Sequence, residues 1–343
     1  TFGLCAMEPP LKRRDRGETA VYIGEEGSLA HVAIGRFFNH LPNFKQKGVK
    51  SFAAAFKAVE RGEAMYGVVP IENSASGTLH STYDLLLQHD VVIAGELGVR
   101  EVYCLCGRPD VTLGDVRYVL SHPNILGACS AFLETRIPAG SPHALAPLEM
   151  ISTISSTEAA RKVSNGGFAL GAACAIATKE AAAKHQLSVL AEDIGNDAFL
   201  ETRYILFHLR NGEASKLPAP FPDVQSPLRK RSACFALSNE PGAIFKLLAC
   251  WALRNIDVLK VETRPLALGL RAPPNLAKAR LWDYLFYVDY AVPTEEINEA
   301  RLWDALGEFS LWHRDFGAYS SQVTRAEKTP QEWSDMIDLM TKS

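Results

Sequence analysis

Short polar side chains recur where predicted strands give way to predicted helices, and this placement suits the binding of a small anion. Such junctions present free backbone N–H groups, the positive end of a helix dipole and hydroxyl donors at the carboxyl end of a strand. Ligands of α/β folds bind at this edge. Four junctions have this composition, at residues 27–28, 73–78, 121–122 and 155–157. They predict an anion-binding cleft, with the alternative that each serine or threonine merely caps a helix.

A threonine and an arginine stand side by side at the start of another predicted strand, TRYILF. Arg203 could hold a carboxylate through two parallel hydrogen bonds, and Thr202 could donate a hydrogen bond or a proton to a leaving oxygen. A surface arginine is the alternative. Upstream, an apolar strand runs into a polar loop that contains Glu72 and Asn73, a composition poorly suited to simple turn formation.

The motifs of common metal and cofactor sites are missing from the sequence. There is no H-E-x-x-H, C-x-x-C, Walker A, G-x-G-x-x-G or G-x-S-x-G pattern. Cys104 and Cys106 alternate along a predicted strand and have no partner ligands nearby in sequence, which favours buried packing. We expect no metal and no cofactor.

The elements that would position these residues form an α/β pattern. Two successive α/β segments span residues 20–210 and could be paired lobes around a cleft. Their predicted elements include consecutive strands over VVIAGE and VREVYCLC, a strand FALGA and an alanine-rich helix over residues 172–185. A proline-rich linker (211–231) precedes a βαββαβ order over 232–322, which is the ferredoxin-like arrangement, with a long loop at 265–279. A leader (1–19) and a tail (323–343) complete the division.

Charge and hydropathy exclude two classes of partner. The 36 Lys+Arg nearly balance the 39 Asp+Glu, giving a net charge of −3, whereas nucleic-acid binders usually carry a basic surplus. No apolar run approaches the ~18 residues that a membrane-spanning helix needs. Four basic residues within Lys12–Arg16 suggest the remnant of a transit peptide, or else a leader without a targeting role.

From residue 20 to about residue 320 the sequence resembles the prephenate/arogenate dehydratases. The resemblance rests on ordered segments along the whole chain: YIGEEGSLAHVA, VVPIENSASGTLHSTYDLLL, LSHPNILGACSAFL, LAEDIGNDAFLETRYILF, EPGAIFKLLACWALRNIDVLKVETRP and DYLFYVDY. It implies a two-lobed, periplasmic-binding-protein-like catalytic domain followed by an ACT domain. The segments around Tyr284 are most similar to plastidic plant members, which implies the chloroplast stroma, or the cytoplasm if the leader is not a transit-peptide remnant.

The resemblance implies a carbon–oxygen lyase that removes CO2 and the ring hydroxyl from prephenate or arogenate, without a cofactor. Thr202 matches the family's catalytic threonine and Arg203 the arginine that holds a carboxylate. Other implied catalytic residues are Glu72, Asn73 and Ser74. The implied substrate-binding residues are Gly27, Ser28, Gly77, Thr78, Ser121, His122, Ser156, Thr157 and Tyr204.

Several residues depart from the family's pattern. Leu200 and Glu201 precede the threonine, Tyr204 replaces a phenylalanine, Asn124 replaces a glutamine, and Ala30 stands where many members have a hydroxyl. These departures bear on the strength and selectivity of catalysis. The choice between prephenate and arogenate stays open, because the two substrates differ only by a keto or an amino group on the side chain.

Two further motifs resemble the family's effector-binding segments and imply L-phenylalanine as effector between paired ACT domains, within a homodimer or homotetramer. Their residues are Glu240, Pro241, Gly242, Ala243 and Ile244, and Glu262, Thr263, Arg264 and Pro265. One alternative is a dimerisation module without a ligand. Another, for the whole chain, is a non-catalytic sensor of a small anion and an amino acid.

Overall fold

A computed structural model describes residues 19–41, 44–136, 148–166, 172–212, 214, 228–266, 283–293 and 296–323. The order of its elements gives two α/β lobes and a βαββαβ unit, which confirms the predicted fold class. The leader up to residue 18, the tail from 324, most of the linker, most of the FALGA segment and most of the 265–279 loop lie outside the described residues.

Lobe 1 is a sheet with helices on both faces, built from these elements: β1 (Thr19–Ile23), α1 (Leu29–Phe38), β2 (Lys45–Val49), α2 (Phe52–Glu60), β3 (Tyr66–Asn73), β4 (Gly77–Thr78), α3 (His80–Gln88), β5 (Val91–Arg100) and β11 (Glu201–Leu209). Strands β2, β1 and β3 are parallel, and β11 lies antiparallel between β3 and β5. Helix α1 packs on one face, and α2 and α3 pack on the other. The carboxyl ends of β1 and β3 therefore lie at one edge of the sheet.

Lobe 2 contains the segment between β5 and β11: β6 (Cys104–Gly107), a 3-10 turn (Leu113–Asp115), β7 (Val116–Ser121), α4 (Pro123–Ala128), α5 (Ser130–Arg136), β8 (Glu149–Ser152), α6 (Ser156–Ser164), β9 (Ala172–Ala177), α7 (Lys179–Lys184) and β10 (Ser188–Ala191). Its sheet has the order β10-β6-β9-β7-β8, in which β9, β7 and β8 are parallel. Cys104 and Cys106 are buried against alanines of α6 and α7, as the packing interpretation predicted.

The predicted helix over residues 172–185 is wrong in its first half. Residues 172–177 form the strand β9, and only Lys179–Lys184 are helical. The strand lies between β6 and β7, and its side chains from Ala173 to Ala177 are buried. Burial on both faces removes the alternation that identifies a strand, and alanine is a strong helix former, so its local preference favours the wrong element.

The C-terminal unit comprises β12 (Leu228–Ala236), α8 (Ala243–Ala252), β13 (Val258–Pro265), β14 (Tyr284–Ala291), α9 (Glu296–Phe309) and β15 (Trp312–Gln322). Strand β12 begins four residues before the predicted start at 232. Helices α8 and α9 cover one face of the antiparallel sheet β13-β14-β12-β15. The other face packs on lobe 1, where Tyr287 and Phe316 join the same core as Tyr83 and Leu86 of α3.

The sheet of the C-terminal unit continues directly into the sheet of lobe 1. Strand β15 pairs parallel with β5, from Ser320 opposite Gly95 to Gln322 opposite Leu97. One ten-stranded sheet thus runs from the β13 edge to β2. None of the helices in the described ranges is long and apolar enough to cross a bilayer.

Candidate active site

The chain crosses between the lobes twice, and the two crossings lie side by side. The first runs from β5 to β6 through residues 101–103, and the second runs from β10 to β11 through 192–200. The backbone N–H of Glu101 donates to the carbonyl of Leu200 (2.8 Å). These two crossings, residues 101–103 and 192–200, form the hinge, and residues of the hinge therefore lie between the two lobes.

The two lobes also touch at the carboxyl ends of their parallel strands. The Thr178 hydroxyl, at the end of β9, donates to the carbonyl of Gly27, at the end of β1 (2.6 Å). Lys184 pairs with Glu26 across the same gap (2.9 Å). Because β7 and β8 run parallel to β9, the junctions at 121–122 and 155–157 share this edge. Thr178 was missed in the sequence because its strand was taken for a helix.

Thr202, which is 5% exposed, lies at the hinge within a cluster of polar side chains. Its hydroxyl donates to Oε1 of Glu101 and accepts from Nδ2 of Asn73 (2.8 Å). Nδ2 of Asn73 also donates to the same Glu101 oxygen (3.0 Å). Two of the predicted catalytic residues, Thr202 and Asn73, are thus in direct contact.

The loop after β3 holds Asn73 and the start of β11 in place. Oδ1 of Asn73 accepts from the backbone N–H groups of Ala75 and Ser76 (both 3.0 Å), which closes an Asx turn. Ser74 binds Glu201 twice, donating its N–H to the Glu201 carbonyl (2.8 Å) and accepting the Glu201 N–H with its hydroxyl (2.9 Å). Ser74 therefore fixes the backbone next to Thr202.

Glu101 is the residue of this cluster that the sequence did not single out. Besides Thr202 and Asn73, the Tyr103 hydroxyl donates to its second carboxylate oxygen. Burial, together with the negative charge of Glu101, raises the pKa values of the phenols of Tyr103 and Tyr204, so both stay neutral. Glu101 lay in what was predicted as a strand, whereas β5 ends at Arg100 and the chain crosses to lobe 2 there. The sequence analysis did not identify Glu101 because it did not reveal that the chain crosses between the lobes here.

Arg203 does not lie where the sequence suggested. Neighbouring residues of a strand point to opposite faces, so Arg203 points away from the Thr202 cluster. Its guanidinium is surrounded by three carboxylates: Asp289 (3.1 Å), Glu72 (3.3 Å) and Glu96 (3.6 Å). Burial alone would lower the pKa of Arg203, but the charges of Asp289 and Glu96 outweigh it and raise the pKa. In this structure the Arg203 guanidinium is engaged by protein carboxylates, and its role in holding a substrate carboxylate stays a prediction.

Glu72 and Thr78 also face the C-terminal unit, and their roles at the substrate stay predictions. The Glu72 carboxylate binds the Lys260 ammonium as well as Arg203. The Thr78 hydroxyl donates to Glu262 (2.6 Å) and accepts from Lys260 (2.7 Å). The hairpin β3–β4 therefore presents Asn73 to the hinge and Glu72 to the neighbouring domain, because adjacent strand residues alternate.

The remaining predicted substrate-binding residues lie at strand ends. Ser28 caps α1 and accepts from the N–H of His31 (3.3 Å), and His122 caps α4 through Nδ1. Ser121 is fully buried and its hydroxyl donates to the carbonyl of Ile176 (2.8 Å), which gives it a structural role. Ser156 is the first residue of α6, directly after the N-cap Ser155, and Thr157 is 2% exposed. Gly77 has a φ of +76°, and a side chain there would meet no neighbouring atom.

A cavity of about 150 Å³ lies beside the first predicted effector motif. It is bounded by the β12–α8 turn and by the start of β14, with Leu237, Ser238, Asn239, Glu240, Ala243, Ile244, Asp283, Tyr284 and Phe286 in its lining. Gly242 precedes α8 in the left-handed region (φ +80°), where glycine is favoured. Pro241 and Gly242 shape the turn without lining the cavity.

The second predicted effector motif lies on β13 and faces lobe 1. Glu262 accepts from Thr78 and contacts His80 (3.2 Å), and Arg264 binds both oxygens of Asp84 (2.8 and 2.5 Å). Both side chains are engaged by lobe 1 in this structure, and their role in effector binding stays a prediction. In register, Thr263 and Pro265 lie opposite Phe286 and Tyr284, two residues of the cavity wall.

The fold and the hinge cluster define a two-lobed α/β enzyme with an ACT-type domain docked on its first lobe. A family model described as prephenate dehydratase matches residues 20–211. The chain is 33% identical over 308 residues to "Arogenate dehydratase/prephenate dehydratase 1, chloroplastic" of Arabidopsis thaliana, covering 89% of this chain and 72% of that relative. The chain therefore belongs to the prephenate dehydratase family and is a dehydratase.

Two solved structures share the fold. The prephenate dehydratase of Arthrobacter aurescens in complex with L-Phe has a TM-score of 0.70 at 23% identity, covering 95% of this chain and 100% of that one. GqqA, described as a novel type of quorum-quenching acylase, has a TM-score of 0.69 at 23% identity, covering 88% and 98%. Since one fold carries two chemistries, the side chains of the site must decide the activity.

Proposed function

We propose that the chain is a carbon–oxygen lyase that converts prephenate to phenylpyruvate, arogenate to phenylalanine, or both. The observation that carries the proposal is the hydrogen-bonded Thr202 hydroxyl at the hinge, in a chain of this family. The product ring is aromatic, so the protein need only help the hydroxyl leave while the neighbouring carboxylate departs as CO2. A positioned donor in a water-poor cleft supplies that help.

The proposed residue roles follow the geometry. Thr202 donates to the departing hydroxyl, Asn73 fixes the orientation of Thr202, and Ser74 fixes the backbone beside it. Ser28, His122 and Ser156, at the carboxyl ends of three strands, bind the substrate carboxylates together with backbone N–H groups. Arg203 and Glu72 contribute from the opposite face of the sheet, by holding the strands that carry Thr202 and Asn73.

The test is an assay of the purified protein on prephenate and on arogenate, each with and without L-phenylalanine. Thr202→Ala should lower kcat by about 10²–10⁴, the usual contribution of a positioned proton donor. Thr202→Ser keeps the hydroxyl and should retain most of the activity. Thr135→Ala is the matched control, since Thr135 is a helical threonine that bonds only its own helix (2.6 Å to Ala131). Full activity of Thr202→Ala would contradict the assignment.

L-Phenylalanine is the proposed effector, bound in the cavity beside α8. The family relationship and the cavity support this proposal. Ala243→Leu would fill part of the cavity and should weaken the stabilisation by phenylalanine, measured as a shift in Tm. Ala300→Leu, an exposed position on α9 away from the cavity, is the control. An unchanged Tm shift in Ala243→Leu would place the effector elsewhere.

The proposal also covers the oligomeric state and the subcellular location of the protein. Phe245 on α8 and Leu253 directly after this helix are 76% and 83% exposed, which supports a homodimer or homotetramer that covers this surface. Names of several relatives include the word chloroplastic, which supports a plastid location. The non-catalytic sensor remains the alternative if neither substrate is turned over.

A further inference from the structure

We propose that Glu101 supplies the proton that the leaving hydroxyl takes up, and that this proton passes through the Thr202 hydroxyl. The inference rests on the proposed dehydratase function. It concerns a residue that acts through Thr202, so Glu101 is a positioning and proton-supplying partner of the catalytic threonine.

The reaction itself requires a proton. When the ring carboxylate leaves as CO2, its bonding electron pair enters the ring, and the C–O pair leaves with the hydroxyl. The hydroxyl becomes water only by gaining one proton, so the substrate and one proton give the aromatic product, CO2 and water. A threonine hydroxyl can pass a proton on but cannot supply it alone, because it is a very weak acid.

Glu101 is the titratable group placed to supply that proton. Its carboxylate is hydrogen-bonded to the Thr202 hydroxyl, and no lysine, arginine or histidine of the described residues forms an ion pair with it. The groups that face it are Thr202 and Tyr204 from β11, Asn73 from β3 and Tyr103 from its own segment. All of these groups are neutral, so the Glu101 carboxylate is held by hydrogen bonds and not by a cation.

Substrate binding provides the reason for Glu101 to take up a proton. In the structure the carboxylate accepts hydrogen bonds from Thr202, Asn73 and Tyr103, an arrangement that suits the ionised form. A substrate carboxylate entering the same cleft disfavours a second negative charge, so Glu101 is protonated in the complex. The Glu101 O–H bond then breaks as a new Thr202 O–H bond forms, while the original Thr202 proton moves to the leaving oxygen. Glu101 ends the step ionised.

Glu101→Gln separates proton supply from geometry, since the amide oxygen still accepts from Thr202 but the side chain cannot deliver a proton. We expect kcat to fall about 100-fold or more. KM should stay unchanged or fall, because a negative charge next to the substrate carboxylates has been removed. Glu134→Gln, an exposed glutamate of lobe 2, is the control.

A second measurement does not depend on turnover. The Thr202→Ala protein, which binds substrate without converting it, should take up about one proton per site from a weakly buffered solution when substrate is added. The Thr202→Ala/Glu101→Gln double variant should take up none. Wild-type kcat in Glu101→Gln, while Thr202→Ala is inactive, would overturn the role of Glu101 and leave the dehydratase assignment standing. Full activity in both single variants would overturn both.

Discussion

At the scale of single residues, the position of a side chain along its strand decides its role. Thr202 and Arg203 are neighbours, yet one lies in the hinge cluster and the other lies among carboxylates at the domain interface. The same separation holds for Asn73 and Glu72 on β3. Each strand thus carries one residue for the substrate side and one for the ACT-type domain.

Asn73→Ala tests whether Asn73 orients the Thr202 hydroxyl. The change removes the donor to Thr202 and Glu101 and also the acceptor of the Ala75 and Ser76 N–H groups. We expect kcat to fall at least tenfold, because the Thr202 hydroxyl is free to rotate. Ser76→Ala, which removes only a 3.3 Å contact to Asn73, should retain near-normal kcat. Steady-state kinetics on both variants check this, and equal kcat values would argue against an orienting role for Asn73.

At the scale of elements, a largely buried ionic network joins six strands. Arg203 (β11) and Glu96 (β5) meet Lys230 (β12) and Asp289 (β14), with Lys230 2.7 Å from Glu96. Lys260 of β13 extends the network to Glu72 on β3. Three cations face three anions, and removing one member would leave a buried charge without its partner.

Asp289→Asn tests this network through stability. Burial would raise the pKa of Asp289, but the charges of Arg203 and Lys230 outweigh it, so the pKa is lowered. A carboxyl whose pKa is lowered by folding stabilises the protein above its unfolded pKa of about 4, and this contribution is lost as the pH falls through the folded value. We expect a loss of about 3–5 kcal/mol in the free energy of unfolding at pH 7, shrinking below about pH 4.

Denaturant unfolding at several pH values measures the effect of Asp289→Asn. The control is Asp110→Asn, since Asp110 pairs with Arg108 (3.4 Å) in an exposed salt bridge that should contribute at most about 1 kcal/mol. A pH-independent difference between wild type and Asp289→Asn would show that Asp289 is not held as an ionised partner.

At the scale of the whole molecule, Gly27 sets how closely the lobes approach. Its φ is +92°, and a Cβ there would lie 2.8 Å from Cα of Ala181 in α7. Gly27→Ala should therefore keep the lobes apart at this edge and lower kcat/KM at least tenfold. Small-angle scattering should report a larger radius of gyration for the variant. Gly166→Ala, with a φ of +67° but only the end of the Arg108 side chain nearby, controls for backbone strain. Equal effects of the two changes would exclude a role in lobe contact.

The sequence predicted the fold class and named Thr202 and Asn73 as catalytic residues, but their contact and other features that depend on long-range pairing were not predicted. Residues 172–177 read as helix because alanine's local preference cannot reveal a central strand. Glu101 carried no signal until the crossing between lobes was known. Strand alternation already places the Arg203 and Thr202 side chains on opposite faces of β11, which the sequence analysis did not use.

The pairing of β15 with β5 limits how the chain can be divided. A fragment that ends before β12 would leave β5 as an open edge, with unpaired backbone groups and the apolar surface of α3 beside it. Such edges invite pairing between molecules, so the catalytic lobes made alone should be prone to aggregate. An exchange of the ACT-type domain between family members would therefore also require a β5 edge that matches the incoming β15.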